Sequence, residues 1–249
     1  MPPASPSQPI PRVTTPTPAS GGTRPAGTPS GTRGTSGPDS LSGTAGADLI
    51  FGLGGPDRIF GLGGNDSLYG DAGDDSILGG DGNDFLFGGA GRDSVFGNAG
   101  DDTVYGGKGA DSISGDDGND LLFGNQDSDT LLGGAGNDTM FGGAGDDSLL
   151  GGIGDDCLSG DRGRDTLTGG VGNDTFAIGR LTEADVITDF TDVSDRIRLN
   201  AGLTFNQLTI SAGAGTSPST IIQLTSTKET LATLLGVAPS AINQADFIF

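Results

Sequence analysis

From Ile50 to Phe176 an apolar residue stands at every ninth position without a break. That spacing matches neither the 3.6-residue period of an amphipathic helix nor the sustained alternation of a long strand. It matches a coil that buries one side chain per short strand. Three-residue strands such as Ser67-Leu68-Tyr69 are therefore predicted, with the middle side chain inward and its two neighbours outward.

Between these strands lie six residues dominated by glycine. Counting from Gly43, Gly52 and Gly61 to Gly169, fifteen nine-residue units follow one another without insertion. The first position is Gly in all of them, and the fourth is Gly except at Asp127. The second is Gly, Asn or Asp in 12 of 15. Such residues mark backbone that visits positive φ, so the first six positions read as a tight turn. The register is plainest in GGDGNDFLF (79–87) and GGAGNDTMF (133–141). Two units make one coil of a parallel solenoid.

The flanks differ. Residues 1–40 are mostly Pro, Thr, Ser and Gly, a composition too poor in apolar surface to offset chain entropy, and they read as a disordered tail. The roll is expected over 43–177. Residues 178–249 lose the period and read as a β-rich cap that closes the open strand edge. QLTIS and TIIQLT are its expected strands, with a short helix expected around Lys228 to Leu235.

Position six is Asp in every unit: Asp48, Asp57, Asp66, Asp75, Asp84, Asp93, Asp102, Asp111, Asp120, Asp129, Asp138, Asp147, Asp156, Asp165 and Asp174. Coils stack about 4.8 Å apart, so these carboxylates fall into columns that repel one another. No column of Lys or Arg interleaves with them. A cation is required there, and carboxylates with turn carbonyls are an oxygen-only donor set that favours Ca²⁺ over Mg²⁺ or transition metals. With each ion between units n and n+2, fifteen units leave thirteen such gaps. The calcium sites near Asp127 and Pro56 are expected to be weak or reshaped.

Charge agrees. The formal net charge is -21, from 33 acidic and 12 basic residues. Of these, 25 acids and 5 bases lie between Gly43 and Ala177. Nucleic acid and anionic membrane surfaces select basic patches, so neither is an expected partner. The chain has no His, which removes the commonest general base and metal ligand. Neither HExxH nor GxSxG occurs, and an enzyme is not expected. Cys157 is alone and reads as an unpaired surface thiol. No apolar run is long enough to span a membrane, and the first residues lack the apolar core of a Sec signal.

The units resemble the GGxGxDxUx nonapeptide of the repeats-in-toxin (RTX) family, the haemolysin-type calcium-binding repeats. That resemblance implies an all-β fold, a right-handed parallel β-roll of about 15 nonapeptide turns. It also implies several Ca²⁺ held by the position-six aspartates and turn carbonyls, and secretion through the type I export machinery. Asp185-Val-Ile-Thr-Asp189-Phe resembles the DxIxDF segment that follows such rolls, and Asp246 to Phe249 resembles an acidic and hydrophobic secretion signal. A secreted, non-enzymatic cell-surface or matrix component is the expected role. The alternative is a secreted enzyme of the same class, or a fragment of a larger adhesin or toxin. Position nine carries Phe51, Tyr69, Phe87, Tyr105, Phe123 and Phe141 on one face, a ladder for cross-strand contact or for lateral self-association.

Overall fold

The computed structural model describes residues 31–179, 183–191, 193–200, 202–215 and 217–248. Seventeen strands from Gly31–Arg33 to Thr175–Ile178 alternate between two parallel sheets. Each strand pairs with the strand 18 residues on, as in Leu68 with Leu86 and Leu122 with Met140. Two nonapeptides therefore make one coil. The fifteen units are half-coils, and the roll from Gly31 to Ile178 has nine strands in its first sheet and so about nine coils.

Position eight does what its period requires. Every such residue from Ile50 to Phe176 is buried between the two sheets, one row contributed by each. One side chain per nine residues is a thin core, and the parallel ladder must supply much of the remaining cohesion.

The strands are longer than the sequence pattern predicts. Ser67–Ala72, Ser76–Asp81 and most of their fellows run for six residues, taking in the first three positions of the next unit. The ladder continues through Asp71 opposite Gly89, even though Asp71 has φ 70 and Gly89 φ 119. Only positions four to six form the turn. Position two is where the strand bends, which is why it is so often Gly, Asn or Asp.

At the start, Gly31–Arg33 and Ser40–Ser42 already carry strands of the two sheets. The roll thus begins before residue 43, and Gly34 to Ser42 is a further unit, with Asp39 at its sixth position and Leu41 at its eighth. Residues 1–30 of the expected tail lie outside the described residues.

At the far end the pattern changes to antiparallel. Strands Leu208–Ala212, Ser219–Leu224 and Thr230–Leu235 pair in succession, and the last lies parallel to Asp185–Ile187 in the second sheet. The helix expected around 228–235 is a strand instead. Lys228 sits at φ 65 in a tight turn, and Leu231, Ala232 and Leu234 are buried against the core. Phe247–Ile248 ends the first sheet. Among the described residues no helix is long and apolar enough to cross a membrane.

Candidate metal centre

Each position-six aspartate ends a turn just before the next strand. Its backbone carbonyl accepts a ladder bond, as from Phe85 N to Asp66 O at 2.9 Å. Its backbone N–H donates to the Oδ1 of the aspartate one coil on: Asp66 N to Asp84 Oδ1 is 2.7 Å, and Asp75 N to Asp93 Oδ1 is 2.8 Å. Repetition of this bond builds two columns. One runs from Asp39 through Asp57, Asp75, Asp93, Asp111, Asp129, Asp147 and Asp165 to Asp185. The other runs from Asp48 through Asp66, Asp84, Asp102, Asp120, Asp138, Asp156 and Asp174 to Asp195.

All fifteen predicted aspartates therefore belong to the columns. Asp39, Asp185 and Asp195 also belong, unforeseen. Asp39 was visible one repeat before Gly43. Asp185 and Asp195 follow their predecessors by 20 and 21 residues, outside the eighteen-residue register.

The second carboxylate oxygen is the telling one. From Asp57 to Asp165, thirteen consecutive Oδ2 atoms are buried with no hydrogen-bond partner. A buried, unpaired carboxylate oxygen is costly and calls for a counter-charge. From Asp57 to Asp156 each faces the glycine five residues earlier and a carbonyl of the next coil. A Cβ built on Gly88 would lie 2.6 Å from both Asp93 Oδ2 and Gly106 O. Among the described residues no three carboxylates converge on a point, so each cradle combines a carboxylate with main-chain oxygens. This donor set fits Ca²⁺, a hard cation that takes carboxylate and carbonyl ligands in flexible geometry.

Electrostatics point the same way. Burial pushes the Asp93 carboxyl up to about 7, opposed by the N–H of Asp75 and reinforced by the charges of Asp111 and Asp75. Asp129 rises to about 8 for the same reasons, with Asp111, Asp147 and Asp127 adding to the burial. Asp102, Asp147 and Asp156 reach about 7. Asp185, facing Asp165, is raised by burial first and by that neighbour's charge second. Without a cation, Asp93, Asp102, Asp129, Asp147 and Asp156 hold protons near neutral pH.

Neither irregular turn disturbs the columns. Asp127 takes φ 70 in place of glycine, and its Oδ2 accepts from Gly109 N at 3.1 Å. Asp129 beside it and Asp57 beside Pro56 keep the same unpaired Oδ2 as the others. Position five adds a second ladder that the repeat reading passed over: Asn83, Asp101, Asn119 and Asn137 each donate a backbone N–H to the side chain one coil back. Cys157 is a half-buried thiol with Arg198 Nη2 at 2.8 Å from its sulfur. In the aromatic row Tyr105 and Phe123 stack at 4.6 Å and 5° and Phe123 and Phe141 at 5.1 Å and 10°, whereas Phe87 tilts by 56° against both Tyr69 and Tyr105. The stacked faces meet each other, as cross-strand pairs do.

The family model for the RTX calcium-binding nonapeptide repeat (four copies) matches residues 33–68, 51–86, 60–95, 78–113, 87–122, 96–131, 123–158 and 150–179, together more than half of the chain. The chain belongs to this family. RTX repeats bind multiple Ca²⁺ ions, and the buried aspartate columns of this RTX roll fit them. Comparison with the curated proteins gives no match. Among solved structures, a subunit of the mannuronan C5-epimerase of Azotobacter vinelandii is 19% identical, with TM-score 0.27, over 86% of this chain and 80% of that one. The extracellular lipase LipA of Serratia marcescens is 18% identical, with TM-score 0.27, over 86% of this chain and 40% of the lipase.

The cradle makes one residue choice sharply testable. Gly88→Ala would drive a methyl into Asp93 Oδ2 and Gly106 O. The RTX variant is expected to lose about 2 kcal/mol or more of stability in calcium, as overpacked sites do. Thermal melts of parent and variant in calcium check it; a variant that melts with the parent would count against the cradle.

Proposed function

We propose that this RTX chain is a calcium-gated folding module that acts outside the cell, a non-enzymatic component of a cell surface or extracellular matrix. The thirteen unpaired Oδ2 atoms, Asp57 to Asp165, carry the reading. In each of those turns the aspartate presents Oδ2, while its Oδ1 is held by the N–H of the previous coil; the position-one glycine leaves room for an ion, and from Asp57 to Asp156 a carbonyl of the next coil completes the wall. Bound there, Ca²⁺ supplies the positive charge that allows neighbouring columns of carboxylates to stay ionised in a dry, close-packed wall.

Extracellular oxygen sites of this kind bind with Kd of about 10⁻⁴ to 10⁻³ M. Such affinity leaves the sites empty at cytosolic calcium and filled outside. A chain that stays expanded inside the cell suits export by the type I machinery, and Asp246 to Phe249 is the segment proposed to address it there. Expression beside a type I exporter tests the reading. The chain is expected in the medium, with export lost on deletion of Asp246 to Phe249. Retention inside cells whose exporter carries another substrate would sink it.

A further inference from the structure

Three carboxylates in the columns have an Oδ2 that is already satisfied. Asp39 Oδ2 accepts from Thr35 N at 2.6 Å and from Thr35 Oγ1 at 2.9 Å. Asp48 Oδ2 accepts from Thr44 N at 2.6 Å and Thr44 Oγ1 at 2.9 Å. At the opposite end, Asp195 Oδ2 accepts from Thr191 N at 2.7 Å, while its Oδ1 accepts from Asp174 N at 3.0 Å. In all three the threonine stands four residues before its aspartate.

Position two explains the two closures at the start. In every unit from Gly52 to Gly169 that residue has positive φ, from Leu53 at 80° to Gly170 at 103°. Thr35 and Thr44 occupy the same position without positive φ, which a β-branched side chain adopts only at a cost. Their N–H groups therefore turn inward to the aspartate of their own unit. The Thr44 hydroxyl also accepts from Gly46 N at 3.2 Å, so the small turn is closed on itself. The interior turns have no such donor, and their Oδ2 atoms are the unpaired ones.

We propose that the turns at Thr35, Thr44 and Thr191 close three of the four column ends, at Asp39, Asp48 and Asp195, with their own hydrogen-bond donors in place of a cation. The row of ions then starts inside Asp39 and Asp48 and, in the second column, stops short of Asp195. Asp48 falls outside the row. The proposal rests on the reading that interior Oδ2 atoms face calcium.

Native mass spectrometry of the full chain at millimolar calcium counts the ions held. Asp84→Asn is expected to lower the count by about one, and Asp48→Asn and Asp195→Asn to leave it at the parent value. Thr44→Gly, which admits positive φ at position two and releases Asp48 Oδ2, is expected to raise it by about one. Loss of an ion from Asp48→Asn or Asp195→Asn as well as from Asp84→Asn would overturn the end closures and leave the calcium row standing. A count unmoved by Asp84→Asn would overturn the row itself. Should Asp48→Asn fail to fold, Thr44→Gly decides alone, and an unchanged or lower count there overturns the closures.

Discussion

Chelating calcium at pH 8 is expected to abolish the strand signal of the roll in far-ultraviolet circular dichroism, and restoring millimolar calcium to bring it back. Thirteen buried Oδ2 atoms lack partners. Each unpaired buried polar group costs about 1–3 kcal/mol, and a folded domain has only about 5–15 kcal/mol in hand. A handful of empty cradles is enough to outweigh the whole stability. Filling them reverses the sign: at ten times Kd a site adds roughly 1.4 kcal/mol, and many sites add in parallel. A full strand signal in chelator at this pH would show that the thin core and ladder suffice alone.

Acid is expected to act in opposite directions with and without calcium. In the cation-free roll, burial raises Asp93, Asp102, Asp147 and Asp156 to about 7 and Asp129 to about 8, from 3.8. Between 3.8 and those values the folded chain binds more protons than the unfolded one, so its stability falls as pH rises. In chelator, the stability that protonation contributes is fully present below 3.8 and is lost as pH climbs through about 7. Strand signal absent at pH 8 should therefore return in part on acidification. In calcium the slope inverts, because a protonated carboxyl is no longer a ligand and the ions leave. Circular dichroism against pH, in calcium and in chelator, should give two curves that converge in acid. Parallel curves would mean that the columns do not titrate with the fold.

The sequence carried most of this roll because its two essential choices repeat. Position eight had to be apolar to fill a one-residue core, and position six had to be Asp to bond the coil before it and to face the cradle. Both are read from Ile50 and Asp48 onward by counting. What counting missed has physical causes. Strand length was missed because Asp71 and Asn98 bend the strand without ending it, so residues that look like a turn stay in the ladder. Asp185 and Asp195 were missed because the chain between them and the repeats is longer than one coil, and the columns continue through space rather than through register. The strand at Thr230–Leu235 was missed because its pairing with Ser219–Leu224 and Asp185–Ile187, not local propensity, decides its form.

The eighteen-residue pairing also imposes a parity rule on the chain's length. Strands alternate between the sheets, and the antiparallel end strands attach only to the second of them. One extra nonapeptide inserted in the middle would exchange the two columns downstream and deliver Asp185–Ile187 to the wrong wall. A pair of nonapeptides would restore every contact one coil further along. The roll can thus grow or shrink in even steps while its two ends stay as they are, and an odd step would be felt first at the cap.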